Sequence, residues 1–128
     1  MPAEAVPAAR EALLRRMYEV FSTDERDAFL ERCLAPDVDW PNMLDGVRLH
    51  GREAVRAYWA GQFAVGHPLV RLEGLRLDED DEAVVATVRL GMRDASGEHW
   101  AGTVEHVYRF GGAGSVTRMD VRPGPQDR

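Results

Sequence analysis

Two side chains of this sequence are placed to do acid/base chemistry, His106 and Asp120. A histidine held among aromatic residues serves near neutral pH as acid, base or polar anchor. An aspartate within reach orients it or shares its proton. His106 falls in the even set of an alternating stretch, with Trp100, Gly102, Val104, Tyr108 and Phe110, so it faces inward. Its bland reading is a core histidine bonded to a neighbour. The face of Asp120 stays open. Met119 and Val121 form the more apolar face of the last stretch, which favours them inward, while Arg118, Asp120 and Arg122 take the other.

Other chemistries find little support. His50, His67, His99 and His106 share no ligand spacing, and His99 and His106 have opposite parity on one strand, so no metal is expected. Cys33, the single cysteine, sits at a buried helical position, which argues against a nucleophile and excludes an intramolecular disulfide. The glycine run from Gly111 to Gly114 lies between strands and not ahead of a helix, so it is no phosphate loop. The acidic run from Asp78 to Glu82 reads as a solvated hairpin turn. No cofactor is called for.

The formal charge of −6 argues against a nucleic-acid surface, since phosphate binding needs clustered cations. All sixteen cationic residues are arginines, spread along the chain. No apolar run approaches a membrane span, and the start of the chain lacks the basic and apolar segments of a signal peptide. A soluble cytoplasmic protein of 128 residues forming one domain is the expectation, with a core over about residues 8–122 and a flexible tail over 123–128.

The elements that must position these residues are legible in the apolar period. Leu13, Leu14, Met17, Val20 and Phe21 mark a first helix after Pro7, and Ser22-x-x-Glu25 is a capping box for a second. That helix turns Ala28, Phe29, Cys33 and Leu34 inward and stops near Pro36. A third follows Gly51, with Val55, Trp59, Gln62 and Phe63 on one stripe. Between them, residues 37–43 form a short strand that its prolines keep at an edge, and 47–50 a return strand. Longer strands cover about 69–77, 83–93, 98–110 and 115–122, with a bulge at Gly74 where the apolar parity of the first changes. Helices preceding a run of antiparallel strands imply an α+β fold: three helices on a strongly curved antiparallel sheet, with a cavity on the concave side.

Three stretches then resemble one known family: Leu34-Ala35-Pro36-Asp37-Val38-Asp39-Trp40; Leu49-His50-Gly51-Arg52-Glu53-Ala54-Val55-Arg56-Ala57-Tyr58-Trp59; and His106-Val107-Tyr108-Arg109-Phe110 with the glycine turn and Val116-Thr117-Arg118-Met119-Asp120. The sequence is similar to the SnoaL-like branch of the nuclear transport factor 2-like superfamily, which includes steroid isomerases and polyketide cyclases. The resemblance implies a cone-shaped half-barrel, dimeric through the outer sheet face, although the outward positions Ala83, Val85, Ala101 and Val107 form no obvious apolar patch.

Where steroid isomerases keep a tyrosine, a catalytic aspartate and a protonated aspartate, this chain has Met17 (with Tyr18 adjacent), Asn42 and His106. Asparagine cannot be the base, so that activity is not implied. The epoxide hydrolase branch places an aspartate where Asp120 stands, but another where His106 stands. Dehydratases and cyclases of the superfamily use histidine with aspartate, which leaves His106 as the candidate acid/base, with Asp120 or Asn42 orienting it. Met17, Tyr18, Trp40, Asn42, Trp59, Phe63, Val88, Tyr108 and Met119 are the candidate pocket lining, with Trp100 a further aromatic wall. The expected partner is a small apolar, polyketide- or steroid-like molecule. Isomerisation, cyclisation or dehydration is one outcome, and a non-catalytic binding or dimerisation module the other.

Overall fold

A computed structural model describes residues 6–42, 46–79 and 82–124; the expected tail and the middle of the acidic turn fall largely outside them. The elements run α1 (Ala8–Val20), α2 (Arg26–Cys33), β1 (Leu34–Pro41), β2 (Arg48–His50), α3 (Arg52–Val65), β3 (His67–Leu77), β4 (Val84–Asp94), β5 (Gly97–Phe110) and β6 (Val116–Pro123). Three helices pack on one six-stranded sheet ordered β2-β1-β6-β5-β4-β3. All pairings are antiparallel except β1 with β6, which is parallel.

Each helix buries one stripe. Leu14 and Met17 of α1, Leu30 and Cys33 of α2, and Val55 and Trp59 of α3 meet Val84, Ala86, Val88, Tyr108, Val116 and Met119 of the sheet. Trp40 and Trp59 pack edge to face, with centroids 5.7 Å apart, an arrangement worth about 1 kcal/mol beyond the area it buries.

The junctions depart from the sequence reading in two places. The capping box does not form: Thr23, not Ser22, closes the α1–α2 turn, its Oγ1 accepting from the Glu25 amide at 3.1 Å and donating to the Val20 carbonyl at 2.8 Å. Glu25 bonds Arg16 instead. The second helix stops at Cys33, and Leu34 already belongs to β1, because the residues ahead of Pro36 are pushed toward extended backbone. Nor is β1 an edge strand. It lies between β2 and β6, and Pro36 is tolerated because β2 covers only Asp39 to Pro41. Gly51 adopts φ +92° at the entry of α3, a conformation costly for any other residue, while its amide donates to the Val38 carbonyl at 2.8 Å.

Register decides which side chains face the helices. The bulge read at Gly74 is present, with Glu73 as the extra residue between Leu72–Val88 and Gly74–Thr87. A second bulge has no sequence mark: Leu90 pairs with Gly102, Gly91 with Trp100, and Ala101 is left over. It reverses the parity of the start of β5. Trp100 therefore turns to the convex face, where Arg71 and Arg89 stack on it at 5.0 and 5.6 Å, and His99 returns to the parity of His106. On the same convex face Ala83, Val85 and Val107 do form a small buried apolar cluster.

Candidate functional site

On the concave side α1, α3 and the sheet enclose a cavity of about 650 Å³. Met17, Tyr18, Trp40, Trp59, His106, Tyr108 and Met119 all line it. Three others do not. Val88 is fully buried in the core beneath. Phe63 turns toward Phe21 and His67, with the Arg26 guanidinium 3.8 Å from its ring centre. Asn42 follows the end of β1, its carbonyl accepting from the Gly46 amide at 3.0 Å, and the cavity wall stops at Trp40 and Pro41 before it.

The sequence reading missed the mouth. Tyr58 and Val65 lie at helical spacing on α3 with Gln62, which the sequence already put on the inward stripe, beside Val55 and Trp59. That period was available, but one stripe already accounted for the helix. Val65 is 86% exposed and Met92 39%, the latter resting against Gly66, so the opening has an apolar collar.

The cavity has one polar end. The Tyr18 hydroxyl lies 2.7 Å from His106 Nδ1 and 2.5 Å from the Tyr108 hydroxyl, so three side chains from α1 and β5 share one chain of hydrogen bonds. The Tyr18 ring stacks parallel to the imidazole at 6.1 Å, and Tyr108 meets both edge-on. Burial drives every member toward its neutral form: His106 is pulled down to about 4, and both tyrosines are pushed above their ordinary value. Cys33, behind Met17, is pushed up to about 12 by burial and donates to the Met17 sulfur at 3.6 Å, so it is an inert thiol.

Asp120 is not part of this group. It pairs with Val107 on the convex parity, whereas His106 pairs with Val121 and Tyr108 with Met119. Its carboxylate accepts from Arg48 at 3.0 Å and from Arg118 at 2.8 Å. Burial raises its pKa, but the Arg118 and Arg48 guanidiniums outweigh that and hold it low. Arg48 also bonds Asp39 and the Asp39 and Met119 carbonyls, tying β2 to β1 and β6. Asp39 is thus a strand tie. The histidine–aspartate pair is not formed because Asp120 stands one position from Val121, the register partner of His106, and so occupies the opposite face.

No Asp, Glu or Arg lines the cavity among the described residues. Nor does any group of three or more His, Cys, Asp or Glu there come together as a metal site. A wider surface groove of about 780 Å³ runs past Arg76, Asp78, Glu105 and Arg122, but Glu105 is already bonded to both arginines at 3.1 Å. The concave cavity is the one with unfilled hydrogen-bonding capacity beside apolar walls, the pattern of a small-molecule site.

A model of the SnoaL-like domain matches residues 14–119 of the chain. No curated protein matches it. Solved structures share its fold. An NTF2-like protein from Burkholderia pseudomallei is 20% identical, with TM-score 0.70 and 91% of each chain covered. The epoxide hydrolase/cyclase-like enzyme SalBIII, associated with pyran ring formation in the polyether salinomycin, is 16% identical, with TM-score 0.72 and 90% of each chain covered. A Mycobacterium tuberculosis protein in complex with estradiol-17beta-hemisuccinate is 20% identical, with TM-score 0.69, covering 90% of this chain and 93% of that one. At these identities the likeness is one of fold. No helix among the described residues is long and apolar enough to cross a membrane.

Proposed function

Because the chain belongs to the family of SnoaL-like domains, we propose that it binds a small, neutral, ring-containing molecule in the concave cavity and acts on it by cofactor-independent acid/base chemistry. The observation that carries this reading is the cavity itself: aromatic walls, no charged lining residue among those described, and a hydrogen-bonded cluster of Tyr18, His106 and Tyr108. Apolar walls supply affinity through burial, and the polar end orients one ligand oxygen. Isomerisation, cyclisation and dehydration are the fitting reaction classes, since each needs proton transfer to or from a positioned oxygen or its neighbouring carbon. The steroid ester held by the Mycobacterium tuberculosis protein and the pyran ring formation associated with SalBIII support ring-containing ligands of that size.

The catalytic assignment falls on His106, without Asp120. A second reading is favoured by that same fact: with no carboxylate at its polar end, the cavity serves as a binding site without turnover. Homodimerisation through the convex face and a cytoplasmic location complete the proposal. Thermal-shift screening with neutral steroid-like and polyketide-like ketones tests ligand binding, because a binder of the native state raises the melting temperature. Unchanged melting across such a panel at millimolar concentration contradicts it.

A further inference from the structure

We propose that Tyr108, Tyr18 and His106 form a charge-neutral proton relay, open to the cavity at both ends, whose substrates are neutral enolisable carbonyl compounds and their enols. The proposal deepens the reading of the cavity as a ligand site and rests on it.

Counting hydrogens leads there. The three side chains carry three polar hydrogens when His106 is neutral: one on each hydroxyl and one on the imidazole. The two hydrogen bonds that join them consume two. One is always left over. If His106 Nδ1–H donates to Tyr18 and Tyr18 donates to Tyr108, the spare hydrogen is the Tyr108 O–H, and Nε2 is an open acceptor. If the chain runs the other way, the spare hydrogen is Nε2–H. Nε2 makes no hydrogen bond to any described residue, and both end members line the cavity.

Reversing the chain therefore moves a proton between two points of the cavity without creating a charge. In the forward pass Nε2 takes a proton from the carbon next to the ligand carbonyl, and that C–H electron pair becomes the enol double bond. Nδ1–H passes to the Tyr18 oxygen, Tyr18 passes its own proton to Tyr108, and Tyr108 protonates the carbonyl oxygen. The ligand leaves as its enol with proton count unchanged, and ketonisation runs the chain backward and resets it. Polarised hydrogen bonds in a low-dielectric site favour such concerted transfer over ion formation.

The surroundings suit a neutral relay and not an ionised base. His106 faces Tyr18 from α1; its β4 and β6 neighbours are Ala86 and Val121; α3 brings Tyr58 and Gln62 to the cavity; none of these is charged. Among the described residues, Tyr108 and Tyr18 have only the Cys33 thiol as an additional ionisable neighbour. Each ionised state of the relay is disfavoured by burial.

The test uses 2-tetralone, a neutral bicyclic ketone, with exchange of its α-hydrogens for deuterium followed by NMR and binding measured separately by thermal shift. The expected result is exchange at least about tenfold above buffer, at a rate independent of pH between about 5.5 and 9. Tyr18→Phe is expected to lower it at least about tenfold while changing affinity by less than about threefold. A rate that titrates within that range, binding without exchange, or full exchange by folded Tyr18→Phe overturns the relay. If Tyr18→Phe does not fold, Tyr108→Phe and the pH profile of the unaltered protein decide the matter. Failure of 2-tetralone and related neutral ketones to bind overturns the ligand reading on which the relay rests, a result distinct from binding without exchange.

Discussion

The Tyr18 hydroxyl and His106 Nδ1 lie 2.7 Å apart although 88 positions separate them in the chain. This contact ties the first helix to the centre of the sheet and fixes the imidazole plane beside the cavity. Its removal is costly because both partners are buried. Tyr18→Phe leaves His106 Nδ1 and the Tyr108 hydroxyl without their partner, and a loss of about 1–3 kcal/mol of stability is expected. Urea unfolding measures it; an unchanged midpoint contradicts the contact.

The low pKa of His106 predicts an acid-sensitive fold. With about 4 in the folded chain against 6.5 when exposed, the unfolded state binds the proton first. Stability therefore falls as pH drops from about 6.5 toward 4, by as much as about 3 kcal/mol if the full shift applies, and it is regained as pH rises. Carboxylates held low by arginines, such as Asp120 and Glu105, act in the same direction but further into acid, below the usual carboxylate range. His106→Gln is expected to flatten the curve between pH 4 and 6.5. A variant that keeps the full slope there places its origin elsewhere.

Asp120 and His106 are expected to separate functionally. Asp120→Asn weakens the tie among Arg48, Arg118 and Asp39, a partly exposed network, and is expected to cost about 1 kcal/mol or less. Ligand affinity should not change. His106→Ala should lower the α-hydrogen exchange of 2-tetralone at least about tenfold, since it removes the nitrogen that takes the proton. Equal losses in the two variants contradict the face assignment of β6.

The bulge in β5 gives a similar contrast between aromatics. Trp40→Ala empties a core position against Trp59 and Tyr108, costs about 3–5 kcal/mol and removes a cavity wall. Trp100→Ala removes only a convex-face ring stacked under Arg71 and Arg89, so ligand affinity is expected to stay within about twofold. Calorimetry on a ligand from the thermal-shift screen separates the two.

These contrasts also mark how far the sequence could be read. Helical stripes, the parity change at Gly74 and the alternation that turns His106 inward were legible, because each shows in several residues at once. The second bulge was not: its extra residue is Ala101, which fits either parity, and Trp100 and Gly102 both suited an unbroken even set. The site was half legible for a related reason. Tyr18 and His106 could each be placed on a face, but their contact depends on how α1 crosses the sheet, which no local period encodes. Asp120 remained open because Met119 and Val121 on one side and Arg118 and Arg122 on the other gave a preference without fixing the register near a strand end.

The central claim is that a neutral His106, held by Tyr18, anchors a ligand in the cavity. Imidazole nitrogen-15 NMR with and without 2-tetralone tests it most directly, with His106→Gln assigning the signal. The account predicts a neutral imidazole from about pH 5 to 8 and an Nε2 shift that moves on adding the ketone. An imidazolium at pH 6, or an Nε2 signal unmoved while the ketone binds, contradicts it.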